Sequence, residues 1–151
     1  MMNFNQKVLI RNLDYFEAAF SFLNINFVKY LISWQPVKLI KWDGIATNDK
    51  AHFKFWFFKW HDFKVKHKFK TFSNKEMIFE DLGTQLPLGL EEWRHKHVIT
   101  KKNNCVIITD KINFKHKNFL LEIILYPILT LPIITRRISY NRYFNLAKTQ
   151  F

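Results

Sequence analysis

The 151-residue sequence is poor in the residues that cross-link or interrupt a chain, with one cysteine, three glycines and four prolines. A single cysteine, Cys105, excludes an internal disulfide, so the fold does not depend on an oxidising compartment. The scarcity of glycine and proline excludes a collagen-like fibre and long flexible linkers. Because 48% of the residues are hydrophobic and 24% are charged, intrinsic disorder is excluded too. The length fits one domain, which we take as residues 1–151.

Acidic residues are also scarce, at 12 Asp and Glu against 24 Lys and Arg, for a formal net charge of +12. This balance fits an anionic membrane surface, a nucleic acid, or compositional drift in a chain rich in lysine and asparagine. Aromatic residues at 53–60 resemble a stacking platform for single strands. Since no nucleic-acid-binding motif accompanies them, we expect no nucleic-acid partner, and a basic protein that binds nucleic acid or a membrane surface stays a minor alternative.

No segment reads as a targeting signal. Residues 1–27 are interrupted by charges and offer no small-residue cleavage site. The longest apolar stretch, 119–134, is shorter than the roughly 20 residues of a spanning helix and contains Glu122. We therefore expect a cytoplasmic protein, with peripheral membrane contact as an alternative.

Hydrophobic periodicity predicts a strand, two short helices, a run of antiparallel strands and a long terminal helix. The predicted elements are a strand over 3–11, helices over 13–22 and 26–32 capped by Asn12 and Asn26, a strand over 37–43, strands from the Asn48-Asp49 turn to about 115, and a helix from Asn118 to about Lys148. Asn118 is the expected cap of this last helix, and Pro127 and Pro132 are expected to kink or split it.

Residues 63–70 alternate without exception between apolar or imidazole side chains and lysines. This predicts a strand with Phe63, Val65, His67 and Phe69 facing inward and four lysines exposed. A two-residue turn at Ser73-Asn74 would place His67 opposite Glu80, and Phe69 opposite Ile78.

A second hairpin is predicted from residues 92–100 and 105–114. A loop centred on Lys102-Asn103 would pair Ile99 with Val106, His97 with Ile108, His95 with Asp110, and Trp93 with Ile112. The other face then holds Arg94, Lys96, Thr109 and Lys111, which are all polar. Both strands thus agree on which face is buried.

This order of elements, together with short motifs, resembles the SRPBCC superfamily of START-like and polyketide-cyclase-like domains, specifically a bacterial ligand-binding branch. The motifs are Phe79-Glu80-Asp81, Pro87, the segment Trp93-Arg94-His95-Lys96-His97, Asp110 in the following strand, and Arg136-Arg137 with Tyr140 and Tyr143. The turn Leu86-Pro87-Leu88-Gly89 lacks the glycine-proline pair of the family pattern. The resemblance implies an α+β helix-grip fold, in which a curved antiparallel sheet of six to seven strands grips the terminal helix. It also implies a cavity for an apolar small molecule or lipid.

We expect one polar constellation on the inward face, formed by His67, Glu80, His95, His97 and Asp110. It reads either as a buried network that fixes the strand register or as a patch that orients a ligand. We expect no metal and no cofactor, because a metal would need three or four of these groups to converge. The candidate pocket-lining residues are Phe53, Phe55, Val65, His67, Phe69, Glu80, Trp93, His95, His97, Ile108, Asp110, Ile112, Ile124 and Ile128.

Two functions follow from this constellation. The first is a non-catalytic carrier or sensor of a hydrophobic molecule. The second is a cyclase- or hydratase-type enzyme that uses His95 and Asp110 for proton transfer, although no nucleophile stands beside them.

The terminal helix is apolar on two faces, whereas packing on a sheet needs only one. A second partner is therefore expected, and the candidates are a second copy of the chain, the two N-terminal helices, or an anionic membrane.

Overall fold

The computed structural model describes the backbone of residues 1–148 and the side chains of residues 1–146. Its elements, in chain order, are β1 (Met2–Arg11), α1 (Tyr15–Ser21), α2 (Ile25–Ile32), β2 (Val37–Trp42), β3 (Lys50–Phe57), β4 (Lys59–Phe72), β5 (Glu76–Gln85), β6 (Leu90–Lys102), β7 (Cys105–His116) and α3 (Phe119–Lys148). The seven strands form one antiparallel sheet in the order β1-β7-β6-β5-β4-β3-β2. The predicted element order and fold class are confirmed.

Each of the two short helices has its N-terminal cap two residues away from the predicted one. Asn12 does not cap α1, because it adopts a left-handed conformation (φ 53°) that turns the chain out of β1. Asp14 is the cap instead, and its carboxylate accepts the amide N–H of Glu17. For α2 the cap is Asn24 rather than Asn26. In both cases a side-chain oxygen satisfies an amide left free at the helix start.

The alternation in β4 has its predicted effect on burial. Val65 and His67 are buried, whereas Lys66, Lys68 and Lys70 are exposed; the fourth lysine, Lys64, is half-buried rather than exposed as predicted. The strand therefore turns its apolar face inward and its lysine face to solvent, as the cost of burying unpaired ammonium groups requires.

The predicted register of the β4–β5 hairpin is wrong. The turn is closed by the pair Phe72–Met77, and β4 then has a register shift between Phe69 and Thr71. As a result, His67 lies opposite Asp81 and not opposite Glu80, and Phe69 lies opposite Phe79. Because the bulge adds one residue to β4, every pair beyond it is shifted by one residue. The β5 residues that share a face with His67 are therefore the odd-numbered ones and not the even-numbered ones.

The β6–β7 register differs from the prediction by two residues. The loop is centred on Asn103-Asn104, with Asn103 in the left-handed region (φ 51°), so the closing pair is Lys102–Cys105. The inward pairs are Ile99–Ile108, His97–Asp110, His95–Ile112 and Trp93–Phe114. Because the side-chain period is two, a shift of two residues leaves each side chain on its predicted face. On the other face, Thr109 is buried although it was expected among exposed polar residues.

Helix α3 is a single helix despite Pro127 and Pro132, so it is not split. Asn118 caps it as predicted, since its Oδ1 accepts the amide N–H groups of Leu120 and Leu121. The side chains of Gln6 and Gln35 donate to the carbonyls of Ile133 and Pro132. Those bonds attach the middle of α3 to β1 and to the segment after α2.

The core lies between the inner face of the sheet and the helices. Its main cluster joins β1, β6 and β7 to α1, α2 and the C-terminal half of α3 through Phe27, Tyr140 and Phe144. A smaller cluster around Ile112, Phe114 and Ile133 holds the middle of α3 on the sheet.

Candidate functional site

A cavity of about 310 Å³ opens beside the core, between α3, the strands β2–β6 and the segment that links α2 to β2. Its lining is mostly apolar. The lining residues are Ile32, Gln35, Pro36, Val37, Phe53, Phe55, Trp56, Phe63, Val65, Asp81, Pro87, Trp93, His95, Ile128, Leu129, Leu131, Pro132, Ile133 and Arg136. An apolar cavity with a few polar groups is the usual form of a small-molecule site.

Three of the polar lining residues, Asp81, His95 and Arg136, belong to one buried network. His95 Nε2 lies 2.8 Å from Asp110 Oδ1, and its Nδ1 lies 3.8 Å from Asp81 Oδ2. Arg136 Nη1 lies 3.6 Å from the same oxygen of Asp110. The cavity wall thus presents a carboxylate, an imidazole and a guanidinium at one place.

Behind this wall the network continues through residues that do not reach the cavity. His97 lies between the two carboxylates, 3.1 Å from Asp81 Oδ2 and 3.3 Å from Asp110 Oδ1. His67 Nε2 lies 3.2 Å from Asp81 Oδ1, and the Tyr140 hydroxyl donates to Asp110 at 3.1 Å. Each buried carboxylate is therefore held by several cationic or hydrogen-bonding partners, as burial requires.

The protonation of the network follows from burial and these contacts. Burial and the neighbouring His97 together lower the pKa of His95 to about 4, although Asp110 opposes them. Burial also disfavours the charge on His97, but the two carboxylates outweigh it and raise the pKa of His97. In the same way burial would lower the pKa of His67, but the hydrogen bond to Asp81 and its negative charge raise it.

The carboxylates stay ionised. Burial alone would raise the pKa of Asp110, but hydrogen bonds from His95 and His97 hold it well below its ordinary value. The charge of His97 likewise overcomes burial and holds the pKa of Asp81 well below the ordinary value. At neutral pH, His95 is therefore neutral beside two ionised carboxylates, Asp81 and Asp110.

One buried polar atom at the cavity wall, Arg136 Nε, lacks a hydrogen-bond partner within the described side chains. Buried polar atoms are normally satisfied. The wall therefore offers one donor to a molecule that enters the cavity.

Asp81, His95 and His97 bring ligand atoms within 4.8 Å of one another, so they are the residues of this cluster that could hold a metal ion. However, the Nε2 atoms of both histidines already bond to carboxylates. Arg136 also adds a permanent positive charge beside Asp110. The atoms of these residues that could bind a metal ion are thus already engaged in hydrogen bonds and ion pairs within the network.

The predicted pocket-lining residues fall into three groups. Those that line the cavity are Phe53, Phe55, Val65, Trp93, His95 and Ile128. Those that contribute to the core or the network without lining the cavity are His67, Phe69, His97, Ile108, Asp110 and Ile112. The reason is that the cavity lies toward β2–β4, whereas α1, α2 and α3 close over the inner faces of β6 and β7.

The remaining two predicted residues, Glu80 and Ile124, lie elsewhere. Glu80 is buried, but on the outer side of the sheet, where Arg94 donates to it at 2.8 Å and Lys70 lies 3.6 Å away. Ile124 is 59% exposed on the outer face of α3. Both positions correct our expectation. Glu80 lies on the outer side because the bulge in β4 changes which β5 residues face inward. Ile124 is exposed because only one side of α3 contacts the sheet.

The structure adds three polar residues that the sequence did not assign to the site, namely Gln35, Asp81 and Arg136. A signal for Asp81 was present, because it shares the strand parity of Met77 and Phe79, which are both buried. Arg136 and Gln35 carry no such signal, since each reaches the cavity only through the tertiary packing of α3.

No protein-family model matches the sequence, and no curated protein matches it. Solved structures do match. Norcoclaurine synthase of Thalictrum flavum superposes with a TM-score of 0.69 at 14% identity, over 97% of this chain and 96% of that one. The chain has the helix-grip fold.

Two other solved structures are also similar to this chain. Norcoclaurine synthase has also been solved in complex with dopamine and hydroxybenzaldehyde, with a TM-score of 0.62 at 14% identity over 94% of this chain and 85% of that one. The ginseng major latex-like protein 151 of Panax ginseng has a TM-score of 0.63 at 9% identity, over 95% and 97% of the two chains. At these identities the likeness concerns the helix-grip fold itself.

Proposed function

We propose that this protein binds a small apolar molecule with one polar group in the cavity of about 310 Å³, as a non-catalytic carrier or sensor. The observation that carries the proposal is the polar wall of Asp81, His95 and Arg136 in a lining whose other residues, apart from Gln35, are apolar. Such a wall orients a ligand, while the apolar walls supply most of the binding free energy.

The cavity volume supports a small ligand. Small-molecule sites span roughly 300–1,000 Å³, and this cavity is near the lower limit. A molecule with one or two rings, or a short acyl chain, is therefore a better candidate than a lipid with two long chains. The ligands in the norcoclaurine synthase complex, dopamine and hydroxybenzaldehyde, are of this size and carry polar groups on an aromatic ring.

The polar wall supports binding more than proton transfer. A general base works best when its pKa lies near the working pH, and the pKa of His95 is lowered to about 4. Asp110 is fully buried and does not line the cavity. The ligand would thus meet a neutral imidazole with fixed orientation.

The test is a titration with the fluorescent probe ANS, which combines an apolar ring system with an anionic group. Ile128 lies on α3 and lines the cavity, so Ile128→Trp should fill it and weaken probe binding by about tenfold or more. Ile40→Trp is the matched control, because Ile40 is exposed on β2 and does not line the cavity. Equal probe affinity in the two variants would contradict the proposal.

Native mass spectrometry of the purified protein, followed by solvent extraction, would identify any ligand that copurifies. The proposal expects one bound small molecule per chain, retained in Ile40→Trp and absent from Ile128→Trp.

The enzyme remains the second candidate function, because His95 and Asp110 form the pair that proton transfer would use. For this function, His95→Gln should abolish turnover of a bound ligand while leaving its affinity within about threefold. A carrier would show no turnover in either form.

A further inference from the structure

The outer face of α3 is apolar, exposed and continuous. Its exposed apolar residues are Phe119, Leu120, Leu121, Ile123, Ile124, Pro127, Leu131, Ile134 and Ile138, which we name the α3 stripe. Leu120 is 68% exposed, and Ile138, more than four turns later, is 59% exposed. At 1.5 Å per residue the stripe is about 27 Å long, and an apolar surface of this length on a soluble chain indicates a partner.

None of the residues that the structure describes covers the stripe. The two N-terminal helices were one expected cover, but α2 packs instead on the C-terminal half of α3, where Phe27 contacts Tyr143 and Phe144. That expectation is therefore corrected, since the exposed stripe lies on the opposite face of α3.

Positive charge borders the stripe at both ends. Lys115 and Lys117 are exposed just before α3, with Lys115 lying 3.4 Å from Glu91, and Arg137 and Arg142 are exposed in its C-terminal half. In the described part of α3 the acidic residue is Glu122, which is buried and bonds to the N-terminal amine at 2.8 Å. The stripe thus presents apolar residues and cations without an exposed carboxylate of its own helix.

The stripe is continuous with the rim of the cavity. Leu131 belongs to both, and Trp56 faces the same cavity from β3 and is half exposed. Trp34 is also exposed next to this region, with the Arg142 guanidinium 4.7 Å from its ring. Exposed tryptophans beside cations are typical of the boundary between lipid and water.

We propose that the α3 stripe docks on an anionic membrane surface, with α3 lying in the plane of the interface and the cavity rim turned toward the lipid. The apolar residues would enter the boundary between headgroups and acyl chains, while the flanking lysines and arginines pair with anionic headgroups. The net charge of +12 attracts the whole chain to such a surface.

Two other occupants fit less well. By length and composition, residues 119–146 could cross a bilayer, but Tyr140 and Phe144 on the same helix are fully buried in the core. A spanning α3 would have to leave the sheet. A second copy would bring one net charge of +12 against another, which opposes association.

The test is co-sedimentation with vesicles of phosphatidylcholine and with vesicles of an equimolar mixture of phosphatidylcholine and phosphatidylglycerol. The variant Leu120→Glu/Ile124→Glu places two carboxylates on the stripe. Its matched control, Leu9→Glu/Ile40→Glu, alters exposed apolar residues outside α3. Circular dichroism must show the same fold in both variants.

We expect the protein and the control to sediment with the anionic vesicles only, with affinity falling about tenfold or more between about 0.05 and about 0.5 M NaCl. The α3 variant should remain in the supernatant. Four results would each overturn the proposal: no sedimentation, equal binding to both vesicles, undiminished binding of the α3 variant, or a dimer in solution that the α3 substitutions dissociate. Resistance of membrane-bound protein to alkaline carbonate would also overturn it. Ligand binding in the cavity is measured without vesicles, so either proposal can fail alone.

Discussion

His95 Nε2 lies 2.8 Å from Asp110 Oδ1, although the two residues are not opposite each other in the sheet. Asp110 is opposite His97, and His95 is opposite Ile112. The long imidazole reaches diagonally across the strands, which cross-strand spacing allows for large side chains. The contact predicted from the sequence therefore exists in a register that the sequence did not predict.

Replacing Asp110 tests this contact. Asp110→Asn removes a carboxylate that stabilises positive charge on both neighbours, so the pKa values of His95 and His97 should both fall. The titration of the imidazole resonances in NMR spectra measures each shift. The matched control is Asp62→Asn, which removes the carboxylate 2.6 Å from His52 on the neighbouring strand and should leave His95 and His97 unchanged. Unaltered titration of His95 in Asp110→Asn would disprove the pairing.

The pH dependence of stability should show two opposing limbs. The pKa values of His67 and His97 are raised in the folded protein. Their contribution to the free energy of unfolding is therefore complete below the pKa of an unfolded histidine, about 6.5, and is lost as pH rises through the pKa values of the folded protein. The pKa of His95 is lowered to about 4, so protonation of the unfolded chain destabilises the fold as pH falls from about 6.5 toward 4. From these three groups alone, the free energy of unfolding peaks near pH 6.5.

Two variants separate these limbs in urea denaturation. His95→Gln should flatten the acid limb, with a change on the order of 2 kcal/mol. Asp81→Asn should flatten the alkaline limb, because it removes the carboxylate that raises the pKa of His67 and one of the two that raise the pKa of His97. If stability falls on both sides equally in wild type and variants, the histidines do not control it.

Neighbouring substitutions in β4 test which face is inside. Val65→Lys places an ammonium group in the core, and we expect a loss of several kcal/mol or failure to fold. Lys66→Val, one residue away on the exposed face, should change the free energy of unfolding by about 0.5 kcal/mol or less. Thermal unfolding followed by circular dichroism compares them. Equal effects would show that the two residues do not lie on opposite faces.

Glu80 and Arg94 form an ion pair on the outer side of the sheet, apart from the buried network, with Arg94 Nη2 lying 2.8 Å from Glu80 Oε1. Because Glu80 is 1% exposed, Arg94→Met should leave its carboxylate poorly compensated, at a cost of about 1–3 kcal/mol. Adding Glu80→Gln should recover part of that loss. Chemical denaturation of the single and double variants measures the coupling. Additive effects would mean that the pair contributes nothing to stability.

Much of the fold could be predicted from local pattern. The alternation of 63–70, the polar and apolar parity of the strands at 92–114 and the Asn118 cap each depend on residues that are close in sequence. Period-two burial in a strand is a local property, because each side chain meets the interior or solvent according to its own parity. For that reason His95, His97 and Asp110 face inward as predicted, although the predicted register was wrong by two residues.

The site itself was decided by tertiary structure. One bulge in β4 exchanged Glu80 for Asp81 in the network, and no local pattern marks which residue of a strand will be left unpaired. The cavity wall also needs Gln35 and Arg136, which are about 100 residues apart and meet only because α3 packs across the sheet. Which faces are apolar could be read from the residues alone, since that depends on residue type and periodicity. Which apolar face became core and which became the exposed stripe of α3 depended on long-range packing, because burial is a property of the whole chain.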